Sequence, residues 1–535
     1  MPALFDAIRS ASAYLDSISF QEIRGFLSLK TAAGAIALYV LGYIPLRFIY
    51  RLYFHPLSNI PGPKSQLVFD LPTRLYWFVG GGQGKIAFKA DEWHQRYGPI
   101  FRIAHNAVHI KDIETFNQIY RVGTQFTKNL RYYDIEQHHE ASIAIADPHK
   151  AHMRRAALHP YFNKKAVRKL EGLIQDKVTK FLDRLTDFER EGSIVQIQRG
   201  FRCFGSDVIS PYCFNKCFDS LDEPNFAPRS HLAFEALLGV AGLHFAWPEA
   251  FAFTGEIFKL LGRKVTRTVN PLMADILDFQ DQVKDAVFEQ KETWEKTSDR
   301  TELFSALEQL YRDDPKGRWK AATDQQLLNE GFAIFNAAGD TIATALTFAT
   351  YWLIKNPDLQ QRLLEELKQV MPEPRSQIND ETLDKLPFLQ ACIKESLRFS
   401  HGVPAPLPRD VPQGGADFLK YHLPEKTIIW SSSYLYHTDP ETFPEPFKWC
   451  PTRWLDSSNN LRQMDNYFMP FSRGARICIG MDLAMVEMKT ILARLVRRYE
   501  MQFAEGFQDE FMEWTAIVTP ILKGRLTVTV KERSE

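Results

Sequence analysis

The sequence predicts a mainly helical fold with small β-sheets, preceded by one N-terminal transmembrane helix. Three observations lead there. Apolar residues recur at three-to-four spacing from about residue 160 to 400, strand-like runs are short and fall late, and an apolar N-terminal stretch holds a single charge. The 535 residues suffice for a substantial core, in one large domain or several ordinary ones. No repeat, low-complexity tract or Pro/Gly/Ser linker divides the chain after residue 65, so 65–535 reads as one folded unit. Sixty-five basic side chains balance 65 acidic ones, which argues against a partner such as nucleic acid held by overall charge. Aromatic residues make up 13%, mainly 40 Phe, which favours a roomy apolar interior. Six cysteines without a CxxC pair are too sparse for a disulfide scaffold and place the main domain in a reducing compartment.

A short segment, 1–24, precedes the apolar stretch 25–46, in which Lys30 is the only charge. As a helix that stretch would rise about 33 Å, close to the bilayer's hydrocarbon thickness, with Lys30 near one end to snorkel. A cleaved signal peptide fits less well, because Asp6, Asp16 and Glu22 precede the run and no small-residue cleavage site follows it. Arg47, Arg51 and Lys64 follow, so the positive-inside rule places the bulk of the chain in the cytosol. In a eukaryotic cell this gives a single-pass endoplasmic reticulum protein. Residues 47–64 form a basic, proline-rich linker, and the prolines of "HPLSNIPGPK" (55–64) predict a stiff extended strap.

Within the main unit, 164–185 keeps Val167, Leu170, Ile174, Val178 and Leu182 on one helical face. The longest helix starts after Thr323 as N-cap and stops at Asn356–Pro357. Asp340 and Thr341 interrupt its apolar middle beside Gly339, and a polar pair there needs partners or a function. Strands are expected in 426–435 and 525–532, and a last amphipathic helix from Gly480 to Tyr499, with Leu483, Ile491, Leu492 and Leu495 inward. Cys213 and Cys217 lie four apart, as on one helical face, and read as core packing.

The chemistry concentrates in "FSRGARICIG", 471–480. Gly474 and Gly480 bracket a segment needing backbone freedom, and Cys478 falls just before a helix N-terminus, where N–H groups and the dipole favour a thiolate. Arg473 and Arg476 add positive charge. A nucleophilic cysteine would want a histidine base, and zinc would want more thiolates or histidines at ligand spacing; neither is near in sequence. A single axial thiolate on a haem iron needs only this cysteine, with arginines to neutralise the propionates.

The segment matches FxxGxRxCxG, the haem-binding signature of the cytochrome P-450 monooxygenases, at Phe471, Gly474, Arg476, Cys478 and Gly480. "KESLR" (394–398) resembles the family's ExxR at Glu395 and Arg398, and "CPTRW" (450–454) its PERW element, making Arg453 the third member of a structural charge triad. "AAGDT" (337–341) is similar to the oxygen-binding motif of the family's long central helix. The motifs occur in the family's order, and the resemblance extends from about residue 50, with the anchor and "YFHPLSNIPGP" like those of fungal microsomal members related to trichodiene oxygenases. Some positions depart from the pattern. Ala338 stands where glycine is usual, Ile342 where a hydroxyl is frequent, Thr452 where glutamate is usual, and Ala151 where Trp or His is usual.

The resemblance implies the cytochrome P-450 fold, with a long central helix over the haem and a proximal cysteine loop. It implies haem b on the Cys478 thiolate, proton delivery by Asp340 and Thr341, and propionate contacts from Arg409 and Arg155. The implied activity is monooxygenation of a hydrophobic small molecule, favouring a terpenoid of fungal secondary metabolism over a polyketide or alkaloid. A reductase-independent haem-thiolate isomerase or dehydratase, and a ligand-binding protein without turnover, are the readings from other classes. Because no dinucleotide or flavin motif is found in this chain, electrons are expected from NADPH-cytochrome P-450 reductase, with cytochrome b5 as a second donor. Arg154, Lys164, Lys165, Arg168, Arg494, Arg497 and Arg498 are the expected docking face. Apolar segments 237–253, 400–408 and 514–522, with Phe335 and Ala338, are expected to line the pocket.

Overall fold

Thr323 accepts the N–H of Gln326, and the Gln326 side chain accepts the N–H of Thr323; this capping box opens the central helix, Asp324–Lys355. The computed structural model describes residues 29–67, 84–133, 141–246, 248–297, 303–312, 323–458 and 460–534. Asn356 closes the central helix and Pro357 opens the next one, as the sequence predicts. Helix Ile197–Phe214 crosses the central helix where two glycines permit close approach. A Cβ on Gly205 would lie 2.9 Å from the Ala338 carbonyl, and one on Gly339 would lie 3.2 Å from Ser206 Oγ.

The 164–185 periodicity is realised with a break. Val167, Ile174, Val178 and Leu182 are buried, but the helix divides at Leu170 into Lys164–Lys169 and Glu171–Glu191. Helix Met481–Arg498 buries Leu483, Ile491, Leu492 and Leu495 and packs on the central helix, so one hydrophobic core joins these elements. The sheets are small. Strands Ile100–Ala104, Ala107–Ile110, Ile428–Trp430, Arg409–Asp410 and Thr127–Lys128 lie side by side in that order. Thr527–Glu532 pairs antiparallel with Tyr499–Phe503 and Val195–Gln196. Of the expected strand 426–435 only Ile428–Trp430 forms, because Ser432 caps the N–H of Tyr434 and starts helix Ser433–His437.

The N-terminal chain is helical over Leu29–Leu38 and Ile44–Ile49, with wider turns at Tyr39–Tyr43 and Tyr50–Phe54. Its apolar side chains face outward, Leu38 at 74% and Leu41 at 77% exposure. Residues 1–28, including the first part of the expected anchor, lie outside the described residues. Among the described residues the helix long and apolar enough to cross a membrane is the central one, and 61% of its apolar window is buried, which marks it as core.

The strap differs from the expected extended form. It stays helical to Phe54, then turns and buries Leu57 and Ile60. Pro61 O accepts Arg102 N at 2.7 Å, and a Cβ on Gly62 would sit 2.2 Å from Arg102 O, so the strap is fastened to the first strand. All six cysteines are free. Cys213 is core, as expected, but the helix ends at Phe214 with Asn215 left-handed, so Cys217 leaves that face and lies 3.1 Å from Lys177 Nζ.

Candidate active site

Glu395 and Arg398, one turn apart on helix Pro387–Ser400, are fully buried and paired through both carboxylate oxygens, at 3.0 and 2.8 Å. Arg453 Nε reaches Glu395 Oε1 at 3.1 Å, so the expected triad is assembled. Two donors that the sequence reading missed complete it: Trp454 Nε1 at 2.9 Å and the Cys450 N–H at 3.0 Å. Spare guanidinium N–H groups go to the carbonyls of His437, Pro446 and Pro444.

The cysteine loop follows. Phe471 O accepts the Cys478 N–H at 2.8 Å and Gly474 O accepts the Ile477 N–H at 3.1 Å. Gly474 has φ +64°, and a Cβ there would lie 1.7 Å from Tyr120 O, so no other residue fits. Gly480 differs from the expectation of unusual backbone freedom, with an ordinary φ of −86°. Its N–H points to the Cys478 sulfur, and a Cβ there would lie 4.0 Å from that sulfur, an ordinary contact. Cys478 lies deep in the fold yet presents an accessible side chain. Burial pushes its thiol pKa up, opposed by the Gly480 N–H and by Arg155.

Four cations converge beyond this loop. Burial and then the charges of Arg409 and Arg155 hold the Arg476 pKa down to about 10. Burial, with Arg409, Arg476 and Arg155, holds Lys128 well below an ordinary lysine. Burial works against the charge of Arg409 as well, but Tyr133, Tyr120 and the neighbouring Asp410 carboxylate outweigh it and leave that pKa raised. The hydrogen-bond partners of Arg476, Lys128 and Arg409 are neutral. Arg476 donates to Ser142 O and Ile145 O, Lys128 to Ile143 O at 2.7 Å, and Arg409 to Tyr133 Oη at 2.6 Å and Pro408 O at 3.0 Å. Such a cluster, short of carboxylates, fits the two propionates of a haem, and Lys128 and Tyr133 were not legible in the sequence.

On the central helix Ala337 and Thr341, one turn apart, are accessible, whereas Gly339 and Ile342 are buried. Thr341 Oγ1 donates to Ala337 O at 2.8 Å. Asp340 is ion-paired with Arg202 of the crossing helix, a partner the sequence reading missed, and Arg202 also donates to His231 O at 3.1 Å. Phe335 is buried in the core and Ala338 partly so. The side chains of 238–252 lie outside the described residues.

The expected docking face needs correction. Arg154, Arg494, Arg497 and Arg498 are buried. Arg494 holds Gln175 and Thr179, Arg497 holds Met371 O, and Arg498 holds Asp183 and Glu532, so these arginines fasten the interior. Lys164, Lys165 and Arg168 are exposed.

The fold and this site define a haem-thiolate oxygenase class, and a family model described as cytochrome P450 matches residues 68–528. The chain belongs to the cytochrome P450 family, whose members hold haem b on a cysteine thiolate and draw electrons from a redox partner, and it is a monooxygenase. Among its relatives, cytochrome P450 monooxygenase sdnE of Sordaria araneosa is 30% identical over 488 residues, 89% of this chain and 92% of the relative. Cytochrome P450 monooxygenase tndB of Aspergillus flavipes is 30% identical over 492 residues, covering 88% and 99%. Cytochrome P450 monooxygenase TRI4 of Trichoderma arundinaceum is 28% identical over 480 residues, covering 88% and 90%.

Proposed function

We propose that the Cys478 thiolate would hold the haem iron and that the enzyme hydroxylates, epoxidises or further oxidises a terpenoid intermediate of fungal secondary metabolism. The observation that carries the reading is the accessible, deep-set Cys478 beside a cluster of four cations, of which Lys128 and Arg409 are buried and Arg476 and Arg155 half-buried. The resemblance of the sequence to fungal members related to trichodiene oxygenases supports the terpenoid class.

Arg155, Arg409, Arg476 and Lys128 would hold the propionates of a bound haem. The bound haem supplies dioxygen activation, which electron donation from an anionic sulfur favours. Phe471 and Gly474 shape the loop that aims Cys478, and the Gly480 N–H and Arg155 stabilise its anionic form. Thr341 faces the reaction space from the central helix and hands on a proton through its hydroxyl. Asp340 resupplies it, and the ion pair with Arg202 holds that carboxylate in place. Buried Phe335 and the apolar surroundings of Ala338 exclude water. Electrons come from NADPH-cytochrome P-450 reductase, with cytochrome b5 as a second donor. The helix within 29–54, with its outward apolar side chains, anchors the enzyme in the endoplasmic reticulum membrane.

The test is the carbon monoxide difference spectrum of dithionite-reduced membranes. Wild type should show the long-wavelength Soret band of thiolate ligation and Cys478→Ala should lose it; haem bound equally well in the variant would end this reading. Thr341→Ala and Asp340→Asn should keep that band but form product from reductase-delivered electrons roughly a hundredfold more slowly. Unchanged product per NADPH would remove them from the proton path.

A further inference from the structure

Glu330 of the central helix is completely buried, and both its oxygens are engaged. Oε2 accepts from Arg154 Nη1 at 2.9 Å and from the Ser142 N–H at 2.8 Å, and Oε1 accepts from the Ser142 hydroxyl. Arg154 is equally buried. Stability alone does not call for such a pair, since an apolar pair of similar volume often serves as well or better. Its placement suggests a use in positioning.

Glu330 lies seven and eleven residues before Ala337 and Thr341. At about 100° per residue Ala337 and Thr341 each return to within about 20° of Glu330, on either side of it, so Glu330 lies beneath the helix face on which those two residues are accessible. The turn that Glu330 grips at Ser142 presents its other backbone groups to the cation cluster. The Ser142 and Ile145 carbonyls accept from Arg476, and the Ile143 carbonyl accepts from Lys128. The second ligand of Glu330, Arg154, adjoins Arg155 on helix Pro148–Phe162. Three of the four cations are thus set by groups that one carboxylate holds in register with the central helix.

We propose that Glu330 is a positioning residue: through Ser142 and Arg154 it fixes Arg476, Lys128 and Arg155 against the central helix and so sets how tightly the haem is retained. The inference rests on the haem-binding reading and adds to it a residue remote from the cysteine loop and the triad.

The test measures haem transfer from the purified holoenzyme to excess apomyoglobin, followed by absorbance well below the unfolding temperature. The double variant Glu330→Met/Arg154→Met removes the pair without leaving a buried charge, and Glu330→Gln keeps the shape of the side chain. Both should release haem roughly tenfold faster than wild type, as loss of a supporting contact does at metal sites. Arg498→Met, which removes a buried guanidinium with its ion pairs to Asp183 and Glu532 away from the cluster, should release it at the wild-type rate. A folded double variant with the wild-type rate overturns the proposal, and if that variant does not fold, Glu330→Gln decides by the same measure. Equal acceleration in Arg498→Met also overturns it, because the effect would then be general loosening. A wild-type protein that takes up no haem would instead defeat the reading beneath.

Discussion

Two arginine clusters, one buried throughout and one partly buried, sit at opposite ends of one electrostatic logic. Around Glu395, a single carboxylate takes Arg398, Arg453, Trp454 and the Cys450 N–H, and the remaining guanidinium N–H groups end on carbonyls. Everything that cluster needs is supplied by protein. Around Arg476, four cations meet no carboxylate at ion-pair distance among the described residues, and burial and mutual repulsion lower the pKa values of Arg476 and Lys128. A cluster closed by its own residues is architecture, whereas one left short of negative charge is built for an anionic guest.

That contrast predicts opposite responses to mutation. Glu395→Gln should have the largest effect, because removing one partner of a buried pair costs about 3–5 kcal/mol out of a total stability of about 5–15 kcal/mol. Folded, haem-loaded protein should not be recovered, as judged by soluble yield and thermal unfolding; a stable variant would mean that the Glu395 cluster is not structural. Arg476→Ala should be milder and split in sign. Relief of repulsion from Arg409 and Arg155 should leave the haem-free protein as stable as wild type or more so, while haem transfer to apomyoglobin speeds up roughly tenfold. A fall in haem-free stability matching that at Glu395 would erase the distinction between the two clusters.

What was legible in the sequence divides along the same line. Glu395 and Arg398 are one helical turn apart, so local spacing brings them together, and Thr323 with Gln326 caps the central helix by the same local rule. Lys128, Glu330 and Arg202 depend on chain segments that meet only in the fold: Glu330 grips Ser142, 188 positions away, and Arg202 meets Asp340, 138 away. No periodicity reports such meetings. The 481–498 helix misleads for a related reason. Its arginines occupy what reads as a polar face, but Gln175, Thr179, Asp183 and Glu532 arrive from other elements to cover them. The extended strap fails likewise, since prolines forbid regular helix over 55–64 but do not reveal that Pro61 will bond to Arg102.

The smallest expected effect concerns cations of a third kind, those left in water. Lys164, Lys165 and Arg168 remain exposed, so the proposed reductase contact falls to them. Exposed charges act through a screened field that steers encounter more than it holds a complex, with a Debye length of about 10 Å at 0.1 M salt. Lys164→Glu/Lys165→Glu/Arg168→Glu should therefore slow the first electron transfer from reductase several-fold at low ionic strength and match wild type at about 1 M salt, where that length falls to about 3 Å. The carbon monoxide spectrum and haem transfer should not change. Arg498→Ala should show the converse, a lower unfolding temperature with unaltered salt dependence of reduction, because its charge is already spent on Asp183 and Glu532. If the triple variant is reduced at the wild-type rate at every salt concentration, the docking charge lies elsewhere and these exposed cations serve only as solvated surface.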